Sequence, residues 1–185
     1  AELLVATRET DEVSLMGIDS AVDRAMFGAL GEQAEEAGSP FLLEVTRLLI
    51  DLGNLKTVVR ALAAGIPAQR VETELLIDGG TVALADLARI VRMPMPEAHA
   101  ALERRFRLAG SPLTGDEAPD LDVIADNALV AAVRKGRRAE PGAEDVIAYV
   151  LAREAEAQVL RVALLGKMAG LDSAALHRRM RASFR

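Results

Sequence analysis

Apolar residues recur every three or four positions along most of the chain, which is the spacing that places them on one face of an α-helix. The strongest signal begins at Ser39, a favourable N-cap residue, and ends at Gly65, so a helix is predicted over Pro40–Ala64. Its predicted apolar stripe consists of Phe41, Val45, Leu48, Leu49, Leu52, Leu55, Val59 and Leu62. A second long helix is predicted over Val146–Ala169, before Gly170.

Shorter helices account for much of the remaining pattern. They are predicted between 19 and 38, from 68 to 77, after Thr81 as an N-cap, from 96 to about 108, from 120 or 122 to about 135, and after Asp172 or Ser173. Segments 110–120 and 136–142 contain Gly and Pro and are predicted loops. Because no segment alternates convincingly between apolar and polar residues, we predict an all-α fold of about seven to nine helices.

Two segments repeat one pattern 105 positions apart. Each has an acid, a base, a Gly and an aliphatic residue at the same spacing; the pairs are Asp51 and Glu156, Lys56 and Arg161, Gly65 and Gly170, and Ile66 and Leu171. This spacing predicts a long helix, a left-handed Gly cap and a shorter helix, used twice.

Polar residues also line one edge of each long helix: Glu44, Arg47, Asp51 and Asn54, then Glu154, Gln158 and Arg161. Such edges fit either ion pairs within one helix or a wet groove between helices.

Composition points to partners rather than to catalysis. Apolar residues make up 51% of the chain and the mean hydropathy is +0.19, which favours apolar surface reserved for other proteins. The net charge of -6 argues against a general nucleic-acid binder. The charge is uneven, because residues 1–133 carry a net -11 and residues 134–185 a net +5. Solvated helix faces are the default explanation, and a docking surface for an acidic partner or anionic headgroups is the alternative.

The usual sequence motifs of enzymes are missing. There is no Cys, so thiol chemistry is excluded. The two His residues, His99 and His177, are far apart in the sequence, which argues against a His-based metal site. Gly166–Lys167 lacks the earlier Gly of a phosphate-binding loop, and the DGGT sequence at 78–81 is more typical of a turn than of an anion site. We therefore predict no catalytic residue, cofactor, metal or small-molecule substrate.

A membrane span is not predicted either. The best candidate, residues 47–66, is interrupted by Asp51, Asn54, Lys56 and Arg60, and charges in the middle of a spanning helix are costly in lipid.

Two long segments carry a resemblance to a known family: FLLEVTRLLIDLGNLKTVVRALAAGI at 41–66 and VIAYVLAREAEAQVLRVALLGKMAGLD at 146–172. They resemble the C subunit of prokaryotic V/A-type ATP synthases, the relative of the eukaryotic vacuolar ATPase d subunit. The family's first pattern stands here as Asp51, Asn54, Leu55, Lys56 and Gly65. The second stands as Tyr149, Glu154, Glu156, Arg161 and Gly170, with Val159 and Leu160 where the first copy has Asn-Leu.

The resemblance runs from about Asp19 to Leu176 and includes the Gly79–Gly80 turn, the 110–115 loop and the basic connector 134–142. It implies a funnel-like all-α body of related helical blocks. Two blocks are expected here, residues 19–108 and 109–185, forming one compact unit. Residues 1–18 are expected to be the remnant of a further block that precedes them in family members.

The resemblance also implies a function. It suggests a non-catalytic rotor subunit of a proton-translocating V/A-type ATPase or synthase, peripheral on the cytoplasmic face of the membrane. The expected partners are the central-shaft subunits D and F and the membrane proteolipid ring. We expect the repeated polar positions to face the shaft; they are Asp51, Asn54, Lys56, Glu156 and Arg161. We expect a basic docking loop at Arg134, Lys135, Arg137 and Arg138.

Two alternatives from other functional classes remain open at this point. One is a helical scaffold or regulatory module that binds partner helices. The other is an enzyme with a helical pocket around Asp51 or Glu154, which a closed cavity with a buried carboxylate of raised pKa would favour.

Overall fold

A computed structural model describes residues 15–106, 121–136 and 142–180, and these residues contain helices and no strand, which confirms the all-α prediction. The α-helices are α1 (Leu15–Glu36), α2 (Pro40–Ala64), α3 (Ala68–Arg70), α4 (Leu84–Val91), α5 (Met95–Arg105), α6 (Leu121–Gly136), α7 (Ala143–Met168) and α8 (Ser173–Arg179). A π-helical turn, Val71–Leu75, continues α3. Of the two predicted loops, 110–120 and the 137–141 part of 136–142 lie outside the described residues.

The predicted start and stop signals of α2 and the predicted start of α8 are confirmed. The Ser39 hydroxyl accepts a hydrogen bond from the Leu42 N–H at 3.1 Å, so Ser39 caps α2, and Gly65 ends that helix with a φ of 66°. The Asp172 carboxylate accepts from the Ala175 N–H at 2.6 Å and caps α8. Side-chain oxygens at these positions satisfy N–H groups that have no partner within the helix.

Between α2 and α4 the predictions were partly wrong. The helix expected over 68–77 is α-helical only to Arg70, and the π-helical turn ends where Leu76 becomes extended. Thr81 does not cap α4, whose N-cap residue is Ala83. Thr81 binds a side chain of α2 instead, as described below, and this tertiary contact replaces the expected local one.

The buried face of α2 also differs from the predicted stripe. Leu48, Leu49, Val59 and Leu62 are only half-buried. The buried positions include Ile50, Val58 and Ala61, and also Asp51 and Asn54. The core therefore extends around the helix to the edge that carries the polar residues Asp51 and Asn54.

The chain divides into two compact units. Among the described residues, those up to Gly38 and Thr46–Phe106 form unit 1, while Ser39–Val45 and the residues from 121 onward form unit 2. The first turns of α2 thus belong to unit 2 and its remainder to unit 1.

Each unit has its own apolar core. The largest fully buried apolar side chains of unit 1 are Leu55, Val58, Val71, Leu87 and Leu102, and those of unit 2 are Val130 and Val133. In unit 1, the Arg24 guanidinium of α1 donates to the Glu74 carbonyl at 2.8 Å and so ties α1 to the π-helical turn.

The predicted repeat is present in the backbone. Gly65 and Gly170 have φ values of 66° and 72°, in the left-handed region. After them, the Ile66 N–H donates to the Ala61 carbonyl at 2.9 Å, and the Leu171 N–H donates to the Gly166 carbonyl at 2.9 Å. These bonds join equivalent positions of the two copies, so both long helices end in the same Schellman cap before a shorter helix.

None of the helices in the described ranges is long and apolar enough to cross a membrane.

An ion pair in unit 1 supplies a pH-dependent test of this fold. The Arg92 guanidinium, next to the end of α4, donates to both carboxylate oxygens of Glu72 in the π-helical turn at 2.6 Å. These hydrogen bonds, with the charge of Arg92, lower the pKa of the Glu72 carboxyl below its usual value. A carboxyl with a lowered pKa in the folded state stabilises the fold at neutral pH, and this contribution disappears as the pH falls through that pKa.

We therefore expect Glu72→Gln to be less stable than the wild type at neutral pH, and the difference to vanish in acid. Urea unfolding followed by circular dichroism over a pH series measures it. Glu32→Gln, on an exposed position of α1, is the control and should show no such trend. A deficit of Glu72→Gln that persists unchanged below the usual glutamate pKa would contradict the assignment.

Candidate interaction sites on the repeated helices

Asp51 lies on α2 with its side chain inside unit 1, where it is 5% exposed. One carboxylate oxygen accepts from the Val82 N–H at 3.0 Å. The other accepts from the Thr81 N–H at 3.1 Å and from the Thr81 hydroxyl. A buried carboxylate is costly unless it is hydrogen-bonded, and here the segment that leads into α4 supplies the donors.

Asn54 follows on the same helix and is 1% exposed. Its amide nitrogen donates to the Ile77 carbonyl at 2.7 Å, and its amide oxygen accepts from the Ile77 N–H at 2.9 Å. One side chain thus replaces both backbone partners that Ile77 would have in a strand or helix. Asp51 and Asn54 together hold segment 77–82 against α2, and we call this pair the Asp51–Asn54 clamp.

The two glycines of the held segment fit this arrangement. Gly79 has a φ of 96°, which side-chain-bearing residues rarely adopt. A Cβ at Gly80 would collide with the Asp51 carboxylate and approach Cγ2 of Ile50 to 3.2 Å. Two of the N–H groups considered for an external anion at 78–81 are engaged internally, because Asp78 accepts from the Gly79 N–H and Asp51 accepts from the Thr81 N–H.

The residues predicted to face the shaft differ in burial. It brings Asp51 and Asn54 together in the clamp, with their side chains inside unit 1. Lys56 is half-buried on α2 in unit 1. On α7 in unit 2, Glu156 is half-buried and Arg161 is exposed. Glu44 and Arg47, on the same predicted edge as the clamp, are exposed.

In the second copy, the side-chain partners found for the equivalent polar residues among the described positions lie within α7 itself. Glu156, at the position equivalent to Asp51, accepts from the Arg153 guanidinium of the same helix at 2.5 Å. Arg161 donates to the Gln158 side-chain oxygen at 3.5 Å, again within α7. The position equivalent to Asn54 is Val159, which is half-buried. The two copies therefore share backbone geometry but not side-chain environment.

The predicted basic loop is partly described. The Lys135 ammonium at the end of α6 lies 2.9 Å from the Glu44 carboxylate of α2, in unit 2. The Lys135 side chain remains 75% exposed, so the pair is at the surface. Arg134 is exposed, and Arg137 and Arg138 lie outside the described residues.

The exposed side of α7 carries many large apolar side chains beside charged ones, which the helix boundaries alone did not predict. Its exposed large side chains are Val146, Tyr149, Val150, Leu160, Leu164, Leu165 and Met168, each more than half exposed. The buried positions of the same helix are small: Ala148, Ala152 and Gly166. A Cβ at Gly166 would meet the side chain of Leu176, so α8 packs closely there. A helix that buries small residues and exposes large ones has an outer face suited to a partner.

Helix α1 has a similar outer stripe in unit 1. Ile18, Val22, Met26 and Leu30 are exposed at steps of four residues. For α7 a signal was present in the sequence, because large apolar residues lie on most sides of that helix, whereas a surface helix usually has one apolar stripe.

The described residues thus define an all-α protein with two helical units, a repeated helix, Gly cap and helix motif, and exposed apolar helix faces. The model of the ATP synthase (C/AC39) subunit family matches residues 3–179. The chain belongs to that family.

A curated relative is similar over most of this chain. It is the C subunit of the A-type ATP synthase of Haloferax volcanii, 29% identical over 189 residues. The alignment covers 94% of this chain and 52% of the relative, so the chain spans about half the length of that protein. No solved structure matches the chain.

Proposed function

We propose that this chain forms part of a non-catalytic rotor subunit that couples the central shaft, subunits D and F, to the membrane proteolipid ring of a V/A-type ATPase or synthase. The observation that carries the proposal is the match of the ATP synthase (C/AC39) subunit family over residues 3–179. In this function the protein works at the membrane surface as a mechanical adaptor. Nucleotide chemistry and proton translocation belong to other members of the complex.

The surroundings of the candidate carboxylates support a non-catalytic protein. Asp51 accepts three hydrogen bonds from Thr81 and Val82, and its contacts serve the fold. Glu154, the other carboxylate considered for an enzyme, is exposed on α7. Across the described residues, no buried side-chain nitrogen or oxygen lacks a hydrogen-bond partner. An active site in a helical pocket usually contains a polar group held for the substrate, and these two carboxylates do not provide one.

The shaft contact is proposed to use those repeated polar residues whose side chains are half-buried or exposed, namely Lys56, Glu156 and Arg161. The two buried members, Asp51 and Asn54, have an indirect role in this proposal because they hold segment 77–82. That segment includes three exposed residues, Asp78, Gly79 and Thr81.

The basic residues Arg134, Lys135, Arg137 and Arg138 are proposed as a second docking region. Four cations within five positions attract an acidic partner surface at long range. The ion pair of Lys135 with Glu44 is largely exposed, so a partner carboxylate can compete for the ammonium group at little cost.

A pulldown with purified rotor components tests the proposal. The chain is immobilised and offered the D–F shaft subcomplex, and separately detergent-solubilised proteolipid ring. Retention of the D–F subcomplex is expected, and weakened retention for Lys56→Glu with Arg161→Glu. Failure to retain either component, from a chain whose circular dichroism is helical, would favour the scaffold alternative.

A further inference from the structure

The internal repeat continues through the short helix that follows each Gly cap. The N-cap residues of the two short helices, Pro67 and Asp172, stand at equivalent positions, 105 residues apart. Each short helix is followed by an extended residue: Leu76, with φ -78° and ψ 145°, and Met180, with φ -73° and ψ 141°. The chain therefore leaves the short helix in the same backbone conformation in both copies.

The π-helical turn shifts the correspondence by one residue after this point. Leu76 is nine positions after Pro67, whereas Met180 is eight positions after Asp172. The extra residue belongs to the π-helical turn, because the Leu76 N–H donates to the Val71 carbonyl five residues earlier and a π turn holds one residue more than an α turn. Beyond the short helices, equivalent positions are therefore 104 residues apart, and Phe184 corresponds to Gly80.

In the first copy, the segment after the short helix lies against α2 beside Ile50. Ile50 is 3% exposed, and a Cβ at Gly80 would approach its Cγ2 atom to 3.2 Å. A Cβ at Gly79 would approach the Ile50 Cδ1 atom to 3.3 Å. The large side chain on the long helix thus faces glycines on the segment that covers it.

In the second copy, the sizes at the equivalent positions are reversed. The counterpart of Ile50 on α7 is Ala155, which is half-buried, and the counterpart of Gly80 is Phe184. A small residue on the long helix leaves space for a large one on the covering segment, as interdigitated packing requires. The counterpart of Asn54 is Val159, whose side chain has no polar group, so an apolar contact replaces the hydrogen bonds of the first copy.

We propose that residues 181–185 dock on α7 within unit 2, with the Phe184 ring packed over Ala155. The occupant of this part of α7 is a segment of the chain itself, because the backbone leaves α8 as it leaves the π-helical turn and the side-chain sizes are complementary. Burial of the aromatic ring stabilises unit 2. The inference goes beyond the proposed function, and its tests contain no rotor component, so a failed shaft pulldown and a failed docking test are separate results.

Cross-linking tests the placement, since the chain contains no Cys. In the first copy, the Cβ position of Gly80 is so near the Ile50 side chain that two cysteines at the equivalent positions are expected within disulfide range. The full chain with Ala155→Cys and Phe184→Cys should therefore form a disulfide within one molecule under mild oxidation. Non-reducing electrophoresis and a mass lower by two hydrogen atoms detect it.

The matched control for cross-linking is Ala157→Cys with Phe184→Cys. Ala157 is exposed and lies about 200° around α7 from Ala155, at 100° per residue, so this pair should form no disulfide within one molecule. Equal yields from the two pairs, or no such bond between positions 155 and 184, would overturn the inference.

A size swap measured by thermal unfolding tests the packing. Ala155→Ile alone should lower the unfolding temperature because the larger side chain collides with the Phe184 ring, and Phe184→Gly alone should lower it because a cavity remains. The double variant recreates the Ile–Gly combination of the first copy, and its loss should be smaller than the sum of the two single losses.

Ala157→Ile with Phe184→Gly is the control for the size swap. Ala157 is on the exposed side of α7, so the losses of these two substitutions should simply add. Additive losses for the pair at 155 and 184 as well would contradict the packing of Phe184 on Ala155.

Discussion

Asp51→Ala is expected to lower the free energy of unfolding of unit 1 by about 3 kcal/mol or more. The substitution removes a carboxylate that accepts from Thr81 and from the buried N–H of Val82. Hydrogen bonds to a charged group contribute about 1.5–3 kcal/mol each, and a buried donor that loses its partner adds the cost of its desolvation. Urea unfolding followed by far-UV circular dichroism measures the loss.

Asp78→Ala is the matched control for this prediction. Asp78 is exposed, and its carboxylate accepts the adjacent Gly79 N–H at 2.8 Å. Its removal should change stability by roughly 0.5–1 kcal/mol. Equal losses for the two alanine variants would mean that the buried position of Asp51 has no special importance.

Gly80→Ala probes the same contact from the other side. A Cβ there collides with the Asp51 carboxylate, so the substitution should destabilise the wild type. In the Asp51→Ala background the obstacle is absent, and the cost of Gly80→Ala should fall. The stability effects of substitutions at two residues in contact depart from additivity by about 0.5–3 kcal/mol. Additive losses for Asp51→Ala and Gly80→Ala would therefore contradict the close approach.

How far the sequence predicts this fold is clear from α2. Its bounds, Pro40–Ala64, agree with the prediction because both end signals act locally. Ser39 binds an N–H three residues away, and Gly65 adopts a backbone angle that its own lack of a side chain permits. The equivalent cap at Gly170 follows from the same local chemistry.

The Asp51–Asn54 clamp could not be predicted in the same way. Its partners, Ile77 and Thr81, lie 23 and 30 residues further along the chain. Spacing along α2 showed two polar residues at an edge, and only tertiary structure shows that segment 77–82 covers them. In hindsight, the DGGT turn downstream was a usable signal, because glycines are needed where the backbone approaches a buried side chain closely.

The outer face of α7 shows a second limit of prediction from the sequence. Periodicity finds an apolar face but does not say whether that face is covered by its own chain. In α7 the small residues Ala148 and Ala152 are buried and the large Leu160 and Leu164 are exposed. This is the reverse of the usual expectation that large apolar residues mark the core.

The double variant Lys56→Glu with Arg161→Glu is expected to uncouple an assembled rotary complex that contains this chain. ATP hydrolysis by the catalytic head should continue near the wild-type rate, while ATP-driven proton pumping falls severalfold. One reversed charge at an exposed pair changes an interface by only about 0 to 1 kcal/mol, so two sites are reversed together. Hydrolysis and acidification of inverted membrane vesicles are measured on the same preparation.

The control reverses two charges elsewhere, in Arg47→Glu with Arg104→Glu. Both side chains are exposed, and Arg47 lies nine positions before Lys56, which places it on the opposite side of α2 at about 100° per residue. This control should pump normally. If Lys56 and Arg161 only serve contacts within their own units, the double variant loses some thermal stability but also pumps normally once assembled. That result would remove the proposed shaft contact and leave the family membership intact, because the match over residues 3–179 does not depend on these two side chains.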